Sequence, residues 1–171
     1  VEEMMTGGNM GGAIRVGDTV RRAAAEWNPT VQRLLGHLRD RGLTWVPHPL
    51  GTDEYGRDTV SYLPGVVPQY PLPAWVWSRE VLIDAGAHLA HLHQASLGFD
   101  VSGAVWQSAV RQPAEVICHN DFAPYNMVFT DGRLSGCHRL GHGLARPPVV
   151  GRGVPRLPAG AVGGPEQRRR H

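Results

Sequence analysis

Apolar and polar positions change period several times along the chain, and each change marks an element. Ala13-Ile14-Arg15-Val16 and Thr19-Val20-Arg21-Arg22 are short β-branched runs around Gly17-Asp18, which predicts a hairpin. Asn28-Pro29 opens a helical pattern, since asparagine suits an N-cap and proline the first turn. Val31, Leu34, Leu35 and Leu38 then repeat at helical spacing until Gly42 stops the helix. Two more strands are predicted, Thr44-Trp45-Val46 and residues 58–63, separated by a turn-rich loop at 51–56. Pro64-Gly65 ends the second of them, and residues 66–76, rich in proline and aromatics, form an ordered connector. Ser78 caps a second helix with Leu82, Ala85, Leu89 and Leu92 on its apolar face. Val116-Ile117-Cys118 reads as a buried strand. Met127-Val128-Phe129 pairs with a return strand beginning at Arg133-Leu134 through the turn Asp131-Gly132. After Gly136 the periodicity stops. Residues 137–171 hold 7 glycines and 5 prolines, which predicts poor order there.

Composition narrows the class. The 171 residues are 42% hydrophobic and 19% charged, an ordinary globular balance. No run approaches the ~20 apolar residues of a membrane span. The first residues, Val1 to Met5, lack the basic-then-apolar order of a secretory leader. Two cysteines exclude a disulfide scaffold, so a cytoplasmic setting is expected. All 17 basic residues are arginine, which excludes lysine chemistry. The net charge of +2 conceals an asymmetry: residues 1–136 carry 10 Arg against 14 acids, residues 137–171 carry 7 Arg against Glu166 alone. The basic tail has no aromatic residue to stack on a base and no amphipathic period, so nucleic acid is not expected as a partner, nor is a membrane.

The strongest chemical signal is His119-x-Asp121-x-x-x-x-Asn126 between two apolar runs. An aspartate on a tight loop can take the proton of an attacking hydroxyl. An asparagine five residues later can turn back and offer its amide oxygen to a magnesium ion beside the same phosphoryl group. The plainer alternative is an Asp–Asn pair making turn hydrogen bonds. Glycines at 7, 8, 11 and 12 could let backbone N–H groups approach phosphates, although they do not spell G-x-G-x-x-G. His88, His91 and His93 fall on the second predicted helix, where packing or solvation is expected rather than a metal. Cys118-His119 and Cys137-His138 fit no common zinc spacing.

Val116-Ile117-Cys118-His119-Asn120-Asp121-Phe122-Ala123-Pro124-Tyr125-Asn126 resembles the catalytic loop of the aminoglycoside phosphotransferase family, relatives of choline kinases. Ser61-Tyr62-Leu63-Pro64-Gly65 resembles that family's interlobe hinge, and Leu89-Ala90-His91-Leu92-His93 the helix before its catalytic segment. The resemblance covers about residues 5–136. It implies an α+β, protein-kinase-like two-lobe fold: a small N-terminal antiparallel sheet lobe plus an incomplete helical C-terminal lobe. The expected divisions are 1–65 for the nucleotide-binding lobe with hinge, 66–136 for a partial catalytic lobe, and 137–171 for the tail. The resemblance further implies ATP and Mg²⁺ as cofactors and a small molecule bearing a hydroxyl as substrate. Asp121 would be the catalytic base, His119 a support for the loop, and Asn126 a metal ligand. ATP would lie near Tyr62 and Leu63, under the segment that contains Gly8 and Gly11.

Two departures from the family stand out. Where kinases use a lysine on the third strand to hold the phosphates, this chain offers Arg21, the first choice, or Arg22, the alternative, since alternation lets only one face the cleft. The usual glutamate on the next helix is missing, and Gln32 near that place can only hydrogen-bond. The second departure is the missing acidic metal ligand after the hairpin: Leu134-Ser135-Gly136 leads into Cys137-His138-Arg139-Leu140, with no acid before Glu166. Reading the codons for residues 137–158 one base later is compatible with Ile-Asp at 138–139 and Trp-Asp-x-Ala-Tyr at 150–154, the segments the family carries there. A frameshift or truncation after about residue 136 is therefore expected, with phosphotransfer impaired. The rival reading is a non-catalytic nucleotide-binding remnant or pseudogene product. Oligomeric state is not legible.

Overall fold

The computed structural model describes residues 2–5, 12–110, 115–138, 140 and 144–146. Among them no helix is long and apolar enough to cross a membrane. Five antiparallel strands form one sheet in the order β1-β2-β3-β5-β4: β1 Glu2–Met4, β2 Ile14–Val16, β3 Thr19–Arg22, β4 Pro49–Thr52 and β5 Asp58–Ser61. The β2–β3 hairpin turns at Gly17-Asp18 as expected, with Gly17 at positive φ. Strand β1 escapes the periodicity because all three of its residues are exposed and none alternates with a buried neighbour.

Helix α1, Asn28–Asp40, buries Val31, Leu34, Leu35 and Leu38, and Gly42 takes a left-handed φ of 86° just beyond it. The expected asparagine cap is displaced. Asn28 is already helical, and its side-chain oxygen accepts from the Ala25 N–H outside the helix. Thr44-Trp45-Val46 is not a strand. The Arg39 guanidinium donates to the carbonyls of Thr44 and Val46, which folds this run into a turn beneath the helix end. The strand comes later, at β4, and β5 stops at Ser61 rather than at residue 63.

Ser78 caps helix α2, Arg79–Ser96, by accepting from the Val81 N–H, as its position implies. The buried face, however, carries Val81, Leu92 and Ala95. Of the expected stripe, Leu92 is buried and Ala85 and Leu89 pack against the two cores, whereas Leu82 is 72% exposed and its neighbour Val81 takes the buried place. His88 packs edge-on against Trp45 at 4.8 Å, the packing role anticipated for it.

Beyond α2, β6 Val116–Cys118, a 3-10 turn Pro124–Asn126, and the hairpin β7 Met127–Thr130 with β8 Arg133–Cys137 follow in the predicted order. The expectation of a tail without structure from residue 137 fails at its start. Cys137 closes β8, Leu140 is buried in the main core, and β9 Leu144–Arg146 pairs antiparallel with β6. The rest of the tail lies outside the described residues. The main core joins Leu34, Leu35, Leu38, Val46 and Val60 to Leu92, Ala95, Ile117 and Leu140, residues from all three expected segments. Burial of this continuous apolar cluster supplies the main driving force for docking α2 and β6 on α1 and the sheet.

Candidate functional site

The loop after β6 is built by local hydrogen bonds. Asn120 takes φ +59°, a conformation asparagine tolerates better than most residues, and turns the chain so that the Asp121 N–H meets His119 Nδ1 at 3.3 Å. With Nδ1 accepting, Nε2 donates to Cys137 Sγ at 3.1 Å, which ties the loop to β8. His119 is 1% exposed, so it is a buried brace between two elements. Pro124 starts the 3-10 turn that brings Asn126 back beneath Asp121.

There the asparagine Nδ2 donates both to Asp121 Oδ2 and to the Asp121 carbonyl, each at 2.8 Å. The Tyr125 hydroxyl donates to Asp121 Oδ1 at 2.7 Å. Asp121, Asn126 and His119 are thus brought together. The plainer reading, a turn held by Asp–Asn hydrogen bonds, describes part of this geometry correctly. It leaves one atom unaccounted for: Asn126 is fully buried, yet its Oδ1 has no hydrogen-bond partner. A buried acceptor without a donor is costly, and a hard cation fits that oxygen. Among the described residues no cluster of three His, Cys, Asp or Glu side chains could hold a metal. The two Cys-His pairs do meet, through His119 and Cys137, but as a hydrogen bond.

A cavity lies between the sheet and the β7–β8 hairpin. Val20 and Arg22 of β3, Val60 and Ser61 of β5, and the following Tyr62 and Leu63 line one side, together with Met5, Ala13 and Pro47. Val67, Val128 and His138 line the other. The two sides are stitched where Val66 and Phe129 exchange backbone hydrogen bonds of 2.8 Å each. His138 also donates its backbone N–H to the Asn126 carbonyl, so the cavity adjoins the Asp121 loop. The Tyr62 N–H is taken by the Asp18 carbonyl, whereas the backbone groups of Leu63 have no partner among the described residues.

The order of the two arginines is reversed. Arg22, not Arg21, lines the cavity, because Val20 points to the core and alternation carries Arg22 to the same side. Arg21 reaches Asp53 at 3.4 Å. Hydrogen bonds from the Arg57 backbone and side chain, and from the Tyr55 N–H, outweigh desolvation and hold the Asp53 carboxyl below its ordinary range. Gly8 and Gly11 lie outside the described residues. Sequence reasoning missed Asp58, which receives Arg22 at 2.9 Å and Gln32 at 2.6 Å. It also missed Tyr125 on Asp121 and His138 in the cavity wall. The signal for Asp58 was present: an acid heading a strand that runs on through the β-branched Thr59 and Val60 becomes a buried charge that needs a partner.

No family model matches the sequence, and no curated protein matches it. Solved structures do match. The gentamicin complex of the aminoglycoside phosphotransferase APH(2")-IIa superposes with a TM-score of 0.60 at 15% identity, over 84% of this chain and 66% of that one. The streptomycin–ATP complex of the same enzyme gives 0.57 at 15% identity, over 84% and 67%. A choline/ethanolamine kinase family protein from Mesorhizobium loti gives 0.58 at 16% identity, over 85% and 60%. The chain thus spans roughly two thirds of the length of these neighbours. With its antiparallel five-stranded sheet and few helices, this chain is built on the kinase-like fold of these aminoglycoside phosphotransferase and choline/ethanolamine kinase structures.

Proposed function

We propose that the chain carries the nucleotide cleft and catalytic loop of an ATP-dependent phosphotransferase that acts on the hydroxyl of a small molecule. The observation that supports this best is the pairing of an apolar slot with a charged end. Val20, Val60, Leu63 and Val128 offer two faces for an aromatic base, and Arg22 offers a cation for the phosphates. The partnerless Leu63 backbone suits the edge of that base. A neighbouring structure holds ATP and an aminoglycoside, which supports the same assignment.

Asp121 is the base in this reading. Its carboxylate is oriented by Tyr125 and Asn126, and an acceptor hydroxyl would take the place of the Tyr125 hydroxyl at Oδ1. Asn126 Oδ1 would hold Mg²⁺, which neutralises phosphate charge when bound. His119 braces the loop through Cys137. Catalysis then rests mostly on positioning. The sequence has no acid between Asp131 and Glu166 to serve as a second metal ligand after the β7–β8 hairpin, which favours impaired turnover, so the chain binds nucleotide better than it transfers phosphoryl groups. A frameshift after about residue 136 remains our account of that loss, and β9 is the place where the tail nevertheless contributes a strand.

The test is a thermal-shift series with adenosine, ATP and GTP, with and without Mg²⁺, followed by a transfer assay on hydroxylated acceptors. Stabilisation by ATP with scant transfer is expected. No stabilisation by any nucleotide would refute the reading.

A further inference from the structure

Opposite Arg22 across the β3–β5 ladder stands Asp58, a direct cross-strand partner. The Arg22 NH2 group meets Asp58 Oδ2 at 2.9 Å. The carboxylate is 2% exposed. Its other oxygen, Oδ1, accepts from Gln32 Nε2 of α1 at 2.6 Å. Gln32 is itself fixed at both ends of its amide: Nε2 also reaches the Thr59 carbonyl at 3.0 Å, and Oε1 accepts from the Gly51 N–H at 3.0 Å. The chain Gln32–Asp58–Arg22 therefore runs from the helix, through the sheet, to the cavity wall.

We propose that Asp58 is the positioning residue that aims Arg22 at the phosphates of a bound nucleotide, with Gln32 holding Asp58 in place. This rests on the nucleotide reading above. The fold places no acid on α1 to face the cavity cation, and strand β5 supplies one instead. A guanidinium is planar, so anchoring one of its nitrogens fixes the direction of the remaining donors. Of those donors, Arg22 Nε is buried and makes no hydrogen bond. A ligand oxygen there would satisfy it. Arg21 Nε is partnerless too, but Arg21 does not line the cavity, and the Asp53 it reaches already holds Arg57 at 2.8 Å. A purely structural ion pair between β3 and β5 would explain the contact equally well without the cavity. It would then influence every ligand of the cleft alike.

The discriminating experiment is calorimetric titration of the full chain with ATP and with adenosine, for the unaltered protein, Asp58→Asn, Arg22→Gln, the double variant and Gln32→Met. Loss of one charge-assisted hydrogen bond to phosphate is expected to weaken ATP about tenfold or more in Asp58→Asn. Adenosine affinity should be unchanged, because it has no phosphate. In the Arg22→Gln background the Asp58→Asn change should cost nothing further, since Asp58 acts through Arg22. Gln32→Met should weaken ATP selectively and less. Equal losses for ATP and adenosine, or additive losses in the double variant, would overturn the inference alone. If Asp58→Asn proves unfolded by circular dichroism, Gln32→Met decides: an ATP-selective loss supports the inference, and its absence overturns it. Binding of neither ligand by the unaltered chain removes the nucleotide reading itself, and the inference falls with it.

Discussion

Replacing Gly65 with alanine strikes the point where the sheet side meets the β7–β8 hairpin. Gly65 has φ +139°, a backbone region that costs other residues about 1–3 kcal/mol. A Cβ built there would meet Val128 Cγ1 at 2.5 Å and the Phe129 carbonyl oxygen at 2.7 Å. Val128 is buried and β-branched, so it cannot rotate away freely, and the carbonyl belongs to the Val66–Phe129 bridge. Overpacking of this kind costs a further ~1–3 kcal/mol, giving about 4 kcal/mol in total. Gly132→Ala is the control. Its φ is +74°, but nothing lies within 4 Å of a Cβ there, so only the conformational cost of about 1 kcal/mol applies. Urea denaturation should show the Gly65 variant about 3 kcal/mol less stable than the Gly132 variant at similar m values. Equal costs for the two would show that the close approach at the hinge does not exist, and would refute the reasoning.

Other consequences are as direct. Whatever phosphoryl transfer the chain catalyses should fall by ~10²-fold or more in Asp121→Ala while ATP affinity persists, and full transfer by that variant would sink the base assignment. Stability should also depend on pH. Desolvation, joined by the nearby Arg41 charge, pushes the His37 imidazole below its ordinary value, and burial alone does the same to His93, whose Nε2 has no partner. The unfolded chain then binds more protons than the folded one below about 6.5, so stability is complete above that pH and falls as the solution is acidified. Urea midpoints measured from pH 7.5 to 5.5 should decline, and less steeply in a His37→Gln/His93→Gln variant. Identical slopes would contradict the assignment.

Much of the fold was legible where local chemistry and tertiary packing agree. Val31, Leu34, Leu35 and Leu38 repeat at helical spacing and are buried. Gly17-Asp18 and Asp131-Gly132 turn where their residue types demand it, and Ser78 caps α2. Legibility failed where a long-range partner decides. Thr44-Trp45-Val46 has strand composition, yet Arg39 bonds fold it into a turn. On α2 the face through Ala85, Leu89 and Leu92 was legible and only its first position was not: Leu82 fits the helical period as well as Val81 does, and packing against the hairpin residues Met127, Phe129 and Leu134 selects Val81. Strand β9 sits in a Gly- and Pro-rich tail and forms opposite β6, a pairing that no local pattern announces. At the site, the Asp121–Asn126 pair followed from spacing alone. The choice between Arg21 and Arg22 needed the phase of a four-residue strand, which Val20, as the apolar member, in fact sets. Asp58 becomes the partner of Arg22 only through the β3–β5 register, a pairing between residues 36 apart that no local pattern sets.

Photolabelling with 8-azido-ATP tests the central claim, that a nucleotide base occupies the slot between the sheet and the β7–β8 hairpin, most directly. Irradiation of the full chain, digestion and mass spectrometry should place the label on peptides containing Tyr62, Leu63, Val67 or Val128, and excess ATP should abolish it. Label confined to the exposed face of α2 around Leu82 and Ile83, or label that ATP does not displace, would contradict the account.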